Sequence, residues 1–195
     1  MSGRFFSRWH PVKPIVLIAA LLLCARMLLA DTVANRVLGQ IDLVHNGVNI
    51  VTNVGVWTPN AVAVDHSVVP NRLYVADSGN HRVLGWRSID ALINGSSADL
   101  VIGQPDFLSW SSQCNNAAVT GATLCFPSGV AVDGNGNLYV VDQGNNRVLE
   151  YNDPFTTDTQ PDLVFGQGGS FTSSACNKGR SDHRGHAVQP QWRRG

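Results

Sequence analysis

The sequence predicts an all-β fold built from repeated four-stranded antiparallel sheets. Three observations support this prediction: a long internal repeat, short runs of strand-forming residues inside each copy, and turn residues between those runs. The matching segments are Pro59–Asp65 with Pro127–Asp133, Leu73–Trp86 with Leu138–Tyr151, and Asp99–Gln104 with Asp162–Gln167.

Each copy of the repeat contains four candidate strands. In the first copy these are the alternating run Ala61–Val64, then Leu73–Ala76, Arg82–Trp86 and Leu100–Ile102. Turn residues after the second strand predict a hairpin. Because so small a sheet cannot bury both of its faces alone, we expect β-propeller blades. Since the chain has two copies of the repeat, we expect an incomplete ring of about two blades. Partial strands flank the blades on each side, one of them at Arg36–Gln40.

The repeated motifs resemble those of the NHL repeat. They have the form Pro-x-Gly-Val-Ala-Val-Asp, followed by Asn-Leu-Tyr-Val-x-Asp-x-Gly-Asn-x-Arg-Val-Leu. The long repeat, which ends in a Leu-Val-x-Gly-Gln strand, is similar to that of exported bacterial propellers. The resemblance covers residues 33–177. It implies rings of about six blades, so that a chain with two blades is a fragment.

The repeat divides the chain into six predicted segments. They are a signal peptide (1–30), a partial first blade strand with a linker (31–58), an NHL-type blade (59–113), a cysteine-bounded inserted loop (114–126), a second NHL-type blade (127–177) and a tail (178–195).

Residues 1–30 have the organisation of a secretory signal. A basic stretch precedes the apolar run Ile15–Leu23, and Ala30 offers a cleavage position. The segment Ile15–Ala30 is shorter than the roughly 20 residues that span a bilayer, and it contains Arg26. We therefore expect an extracellular, periplasmic or cell-surface protein, without stable membrane insertion after cleavage. An uncleaved N-terminal membrane anchor is the alternative.

The segment expected to fold is acidic. Residues 31–179 carry six basic and thirteen acidic residues, a net charge of −7. Nucleic acid phosphates would be repelled by this charge, so we expect no nucleic acid partner.

Three cysteines follow the leader. Export permits a disulfide, and Cys114 with Cys125 would close a short loop. Two free thiols are the alternative. Cys176 is then left over.

The tail from Arg180 to Gly195 matches nothing upstream, although it begins where the next repeat should continue. Permitted codons for these residues, read one base later, encode Gly-Val-Thr-Thr-Ala-Ala-Thr-Leu-Cys-Asn-Pro-Ser-Gly-Val-Ala. That sequence is similar to Ala118–Ala131 and supplies a cysteine partner for Cys176. We therefore interpret the tail as out of frame after Lys178–Arg180, with a natural variable tail as the alternative.

The repeated polar residues are candidates for catalytic groups or metal ligands. Because they recur in both copies, whereas an active site needs residues special to one blade, we expect structural roles, with each arginine pairing with a carboxylate of its own or the next blade. The residues are Asp77, Asn80, Arg82, Asp142, Asn145 and Arg147.

Other signals of chemistry are weak. The run Asp133–Asn137 starts like a calcium loop but lacks the later ligands, so a turn is expected. His45, His66 and His81 stand apart from other candidate ligands and are expected at the surface. We predict no catalytic residue, no metal and no cofactor.

Trp57 and Trp110, in the loops outside the predicted strands, are the candidate recognition residues. The sequence thus favours a non-catalytic scaffold that binds an unknown protein, peptide or glycan. Its uncovered edges and faces could also meet other blades or self-associate. The alternatives are a fragment of a propeller enzyme, which the resemblance suggests would be similar to an amidating lyase or a lactonase, and a truncated product without a function of its own.

Overall fold

The computed structural model describes residues 33–45, 47, 49–110, 114 and 118–176 of the 195-residue chain. The predicted signal peptide and the predicted tail lie outside these residues. Among the described residues no helix has the length and apolar character needed to cross a membrane.

Two four-stranded antiparallel sheets form the structure. The first sheet consists of β1 (Pro59–Asp65), β2 (Arg72–Asp77), β3 (Arg82–Trp86) and β4 (Leu100–Ile102). The second consists of β5 (Pro127–Val132), β6 (Leu138–Asp142), β7 (Arg147–Tyr151) and β8 (Leu163–Phe165). Neighbouring strands follow each other in chain order, as in propeller blades. The predicted all-β fold class is confirmed, and the four predicted strands of each copy are present.

The two sheets have the same register, which makes their faces comparable residue by residue. Tyr74 pairs with Gly85 in the first sheet, and Tyr139 pairs with Glu150 at the same place in the second. Each β2–β3 or β6–β7 hairpin closes through one short 3-10 turn, Ser78–Asn80 or Gln143–Asn145.

The main core lies between the sheets. One face of the first sheet and one face of the second contribute side chains that are almost fully buried, and β1 lies beside β5. The buried set is Tyr74, Val83, Ile102, Leu124, Leu138, Val140, Leu149, Tyr151 and Phe155. Packing of one sheet on the next is what a propeller requires of neighbouring blades.

A second core covers the far face of the first sheet. Leu84 and Trp86 are at most 1% exposed there, packed by loop residues and by Leu38 of the N-terminal segment. Loops and a short piece of preceding chain therefore take the place of another sheet on this side.

The flanking strands are shorter than predicted. In the segment Arg36–Gln40 only Gly39 makes a bridge, to Gly55, and no described residue after Phe165 is in a strand. A strand needs a paired neighbour along its length, and these segments have none within the described chain.

The core position of Leu149 provides a test of this architecture. Leu149→Ala removes a fully buried side chain between the sheets, so we expect the free energy of unfolding to fall by about 2–5 kcal/mol. Urea denaturation followed by circular dichroism measures it. Val69→Ala, at a side chain that is 95% exposed, is the control. Equal effects of the two substitutions would contradict the arrangement.

Candidate functional site

A buried polar cluster joins the hairpin of the first sheet to its surroundings. Asp77 ends β2 and Arg82 begins β3, so the two side chains meet across the turn. Oδ2 of Asp77 accepts hydrogen bonds from Nε of Arg82 at 2.7 Å and from Nδ2 of Asn80 at 2.9 Å. Its Oδ1 accepts the backbone N–H of Trp57 at 2.7 Å. The side chains of Asp77, Asn80 and Arg82 are fully buried.

The guanidinium of Arg82 reaches two loops outside the hairpin. Nη1 donates to the carbonyl of Phe107 at 2.7 Å, and Nη2 donates to the carbonyls of Thr52 and Gly55, both at 2.9 Å. The segment before β1 and the loop after β4 are thereby tied to the sheet. Residues 52–55, predicted as linker, thus contribute to the first blade.

The second sheet repeats this cluster. Oδ2 of Asp142 accepts from Nε of Arg147 at 2.7 Å and from Nδ2 of Asn145 at 2.8 Å. Oδ1 accepts the N–H of Cys125 at 2.7 Å. The remaining donors of Arg147 bind the carbonyls of Thr120, Thr123 and Phe171. Each arginine therefore pairs within its own blade, and its terminal nitrogens serve the loops.

The glutamine of each repeated Gly-Gln pair completes the cluster. Nε2 of Gln104 donates to the carbonyls of Asn80 and His81, and Nε2 of Gln167 donates to those of Asn145 and Asn146. These carbonyls belong to the 3-10 turn and the residue after it. In the sequence, the Gly-Gln pair indicates only the period of the repeat. Its constant position is the signal that could have shown that the glutamine side chain has a fixed partner.

The predicted disulfide between Cys114 and Cys125 is confirmed. Cys125 precedes β5 at the place that Trp57 takes before β1, because each donates its N–H to the repeated aspartate. Each also accepts, through its carbonyl, the N–H of the turn glycine, Gly79 or Gly144.

The Trp57 ring lies against the turn of the first sheet, because a Cβ on Gly79 would lie 2.8 Å from Cδ2 of Trp57. Trp57 thus packs against the turn while 44% of its surface stays exposed.

His81 lies between the sheets, so the expectation of a surface position was wrong for this residue, whereas His45 and His66 are exposed. It follows the 3-10 turn in the left-handed conformation, with φ of 55°. Its Nδ1 accepts the N–H of Phe126 at 3.1 Å, and the two rings meet edge-on at 4.4 Å. Burial lowers the pKa of His81, against the opposing pull of Asp142 and Asp77.

The run Asp133–Asn137 forms a turn, as predicted. Oδ1 of Asp133 accepts the N–H groups of Asn135 and Asn137, and Oδ2 accepts Nδ2 of Asn137 at 3.0 Å. In the described part of the chain, no three His, Cys, Asp or Glu side chains are grouped so that they could hold a metal ion.

Several exposed apolar side chains lie at one end of the sheets. This end, which we call the disulfide end, carries the segment before each first strand, the hairpin turns and the loop after β4. The exposed residues there include Ile50, Trp57, Leu108, Trp110 and Phe126. Ile41, His45 and Ile50 line a cavity of about 260 Å³ in the segment before β1. Both predicted recognition residues, Trp57 and Trp110, therefore lie at this end, with Trp110 48% exposed.

A family comparison agrees with the repeated cluster. The family model of the NHL repeat matches residues 124–151, which extend from the segment before β5 through β7. This part of the second sheet is similar to the NHL repeat. Asp142, Asn145 and Arg147 all lie inside the match, and the first sheet holds their counterparts in the same geometry. A comparison with curated proteins found no match to the chain.

Replacing Arg147 tests whether the cluster stabilises the fold. Arg147→Met leaves the carboxylate of Asp142 buried without its partner, so we expect the free energy of unfolding to fall by about 3–5 kcal/mol, or the folded state to be lost. Denaturation followed by circular dichroism measures both. The exposed Arg36, changed to Met, is the control. A loss below about 1 kcal/mol, the range of exposed ion pairs, would show that the cluster contributes little.

His81 gives the stability a pH dependence of known sign. Because its pKa is lowered in the folded protein, the unfolded chain binds more protons as the pH falls through the unperturbed value of 6.5. The contribution of neutral His81 to the free energy of unfolding is complete above that pH and declines below it. His81→Asn, which copies Asn146 in the second sheet, should flatten the decline between about pH 7 and pH 5. Denaturation at several pH values measures the slope. Parallel curves, or equal flattening by His66→Asn, would contradict it.

Proposed function

We propose that this chain is a non-catalytic, exported NHL-repeat scaffold that binds a protein, peptide or glycan through the loops of its disulfide end. The observation that carries the proposal is the group of exposed apolar residues at that end, including Trp57 and Trp110. Soluble proteins seldom expose contiguous apolar area without a binding role. The NHL repeat and the propeller-like sheets support a scaffold of this kind.

The buried clusters favour a non-catalytic role. Arg82 and Arg147 each make four hydrogen bonds to protein acceptors. Asp77 and Asp142 have no exposed surface. A general acid or base must reach the proton that it transfers, and none of these repeated groups faces a cavity or solvent. Their arrangement serves to hold the loops in place.

The loops are held well enough to present a surface. Four carbonyls before the first strands, two in each sheet, receive guanidinium hydrogen bonds, and the disulfide ties the segment before β5 to the loop after β4. Binding to loops that are already ordered loses less conformational entropy than binding to loops that become ordered. The disulfide also agrees with an oxidising compartment.

Trp110 is the residue whose removal tests the binding surface. The secreted chain would be screened against an immobilised random peptide library and a panel of bacterial cell-wall glycans. Trp110→Ala should weaken capture by the selected probe about tenfold or more, because exposed aromatics dominate such surfaces. Biolayer interferometry measures the affinity.

Ile93→Ala is the matched control, since Ile93 is 69% exposed at the opposite end of the sheets. The proposal fails if this variant weakens binding as much as Trp110→Ala does, or if neither probe class is captured. Thermal unfolding of both variants separates loss of the surface from loss of the fold.

A further inference from the structure

The segment before β1 folds back on itself around a small cavity. An isolated backbone bridge joins Gly39 to Gly55, and the N–H of Val56 donates to the carbonyl of Gly39 at 3.4 Å. The cavity between these two ends of the segment has a volume of about 260 Å³. Apolar side chains dominate its lining, among them Ile41 and Ile50. The chain thus surrounds an apolar space in a part of the structure that belongs to neither sheet.

Hydrogen bonds to the first blade hold one wall of this cavity in place. The carbonyls of Thr52 and Gly55 bind the guanidinium of Arg82, both at 2.9 Å. The carbonyl of Asn53 accepts the N–H of Ala98 at 2.7 Å. Because this wall is ordered before any ligand arrives, binding there costs less conformational entropy than binding to a loop that must first become ordered.

The size and lining of the cavity define the body of a ligand. Ile41 and Ile50 are 62% and 65% exposed, and burial of such apolar surface favours association. A cavity of about 150 Å³ accommodates one benzene ring. The larger volume of about 260 Å³ therefore admits one ring with one or two small substituents.

His45 gives the cavity one polar group of defined hydrogen-bonding character. Its Nδ1 lies 2.6 and 2.7 Å from the two carboxylate oxygens of Asp42. A carboxylate only accepts hydrogen bonds, so Nδ1 carries the ring proton. The hydrogen bond from His45, and next that from the N–H of Val44, lowers the pKa of Asp42. In the neutral ring, Nε2 is then an acceptor, and no described residue donates to it.

We propose that this cavity binds a small neutral ring compound with one hydroxyl group, of the phenol type, whose O–H donates to Nε2 of His45. The ring lies against Ile41 and Ile50, which removes their apolar surface from water. A carboxylate is a poorer ligand, because Asp42 is adjacent and residues 31–179 carry a net charge of −7. This site goes beyond the binding of a protein, peptide or glycan proposed above and does not rest on it.

Titration of the purified full chain with p-cresol tests the site. Isotope-labelled isoleucine methyl groups are followed by NMR at about pH 8, where free imidazole is neutral. We expect saturable shifts for Ile41 and Ile50, with a Kd of about 0.1–1 mM for a ligand of so few atoms. The methyl groups of Ile93 and of the buried Ile102 should not shift, which shows that the fold is unchanged.

Three related compounds separate the contribution of the hydroxyl from that of the ring. Toluene and p-methylanisole keep the ring but have no O–H to donate. We expect both to bind about three- to tenfold more weakly than p-cresol, which is the effect of one hydrogen bond. The anion p-toluate should bind more weakly than p-cresol because of the nearby Asp42 carboxylate.

His45→Leu removes the acceptor and keeps a side chain of similar size. It should weaken p-cresol binding about three- to tenfold and leave toluene binding unchanged. His66→Leu is the matched control, since His66 is exposed and is not part of the cavity lining. It should bind every compound as the parent chain does. Ile50→Trp places a larger side chain in the cavity and should weaken the binding of both p-cresol and toluene.

Asp42 is a positioning residue for the imidazole. NMR of isotope-labelled histidine nitrogens reads the tautomer of the ring, and we expect the proton of neutral His45 on Nδ1 in the parent chain. Asp42→Ala removes the acceptor of that proton, so part of the population should carry it on Nε2 instead. The same variant should weaken p-cresol binding while toluene binding stays unchanged.

Any of three results would overturn the proposal. The first is the absence of saturable shifts at Ile41 and Ile50 with p-cresol. The second is equal affinity for toluene and p-cresol, because His45 then does not select a hydroxyl. The third is tighter binding of p-toluate than of p-cresol, because the site then takes anions. Since none of these readouts involves capture of a peptide or glycan, this proposal and the one for the disulfide end can fail separately.

Discussion

The buried pair of an aspartate that ends one strand and an arginine that begins the next is the interaction on which the rest of this structure depends. It occurs in both sheets, at 2.7 Å between Nε and Oδ2. A buried ion pair loses its hydration, and the loss is offset only when the remaining donors and acceptors are also satisfied. Here the second carboxylate oxygen accepts a backbone N–H, and the terminal guanidinium nitrogens bind loop carbonyls. The same atoms that close the hairpin therefore fix the loops before and after it.

This linkage explains how sheets so small hold long connections. Strands β4 and β8 have three residues each, too few to order the loops that follow them. The carbonyls of Phe107 and Phe171, five residues or more beyond those strands, are instead bound by the arginines. Gln104 and Gln167 add hydrogen bonds between the strand ends and the turns. Removing the charge pair would release the hairpin, the loops and the surface at the disulfide end together.

The repeat allowed most of the architecture to be predicted, because local patterns determine it. Alternation and turn residues identify the strands and the hairpin, and the recurrence of Asp, Asn and Arg indicates a structural role. The long-range partners could not be read from the sequence. Backbone carbonyls carry no residue signature, so the acceptors of Arg82 were invisible, and burial of His81 depends on Phe126, 45 residues away. The equivalence of Trp57 and Cys125 was hidden because the two side chains are chemically unrelated.

Some of the positions at which the two copies differ lie at contacts between the sheets. Gly85, on which the Phe155 ring rests, corresponds to Glu150, and His81, which accepts the N–H of Phe126, corresponds to Asn146. Residues inside each cluster do not change: Asp, Asn, Arg and Gln recur with the same hydrogen bonds. A mutation in a cluster would destabilise its own sheet. A substitution at a contact between sheets requires only a compensating substitution in the neighbouring sheet. Divergence of the contacts therefore gives each sheet a preferred neighbour. Such differences distinguish the contact surfaces of two sheets that otherwise share one pattern.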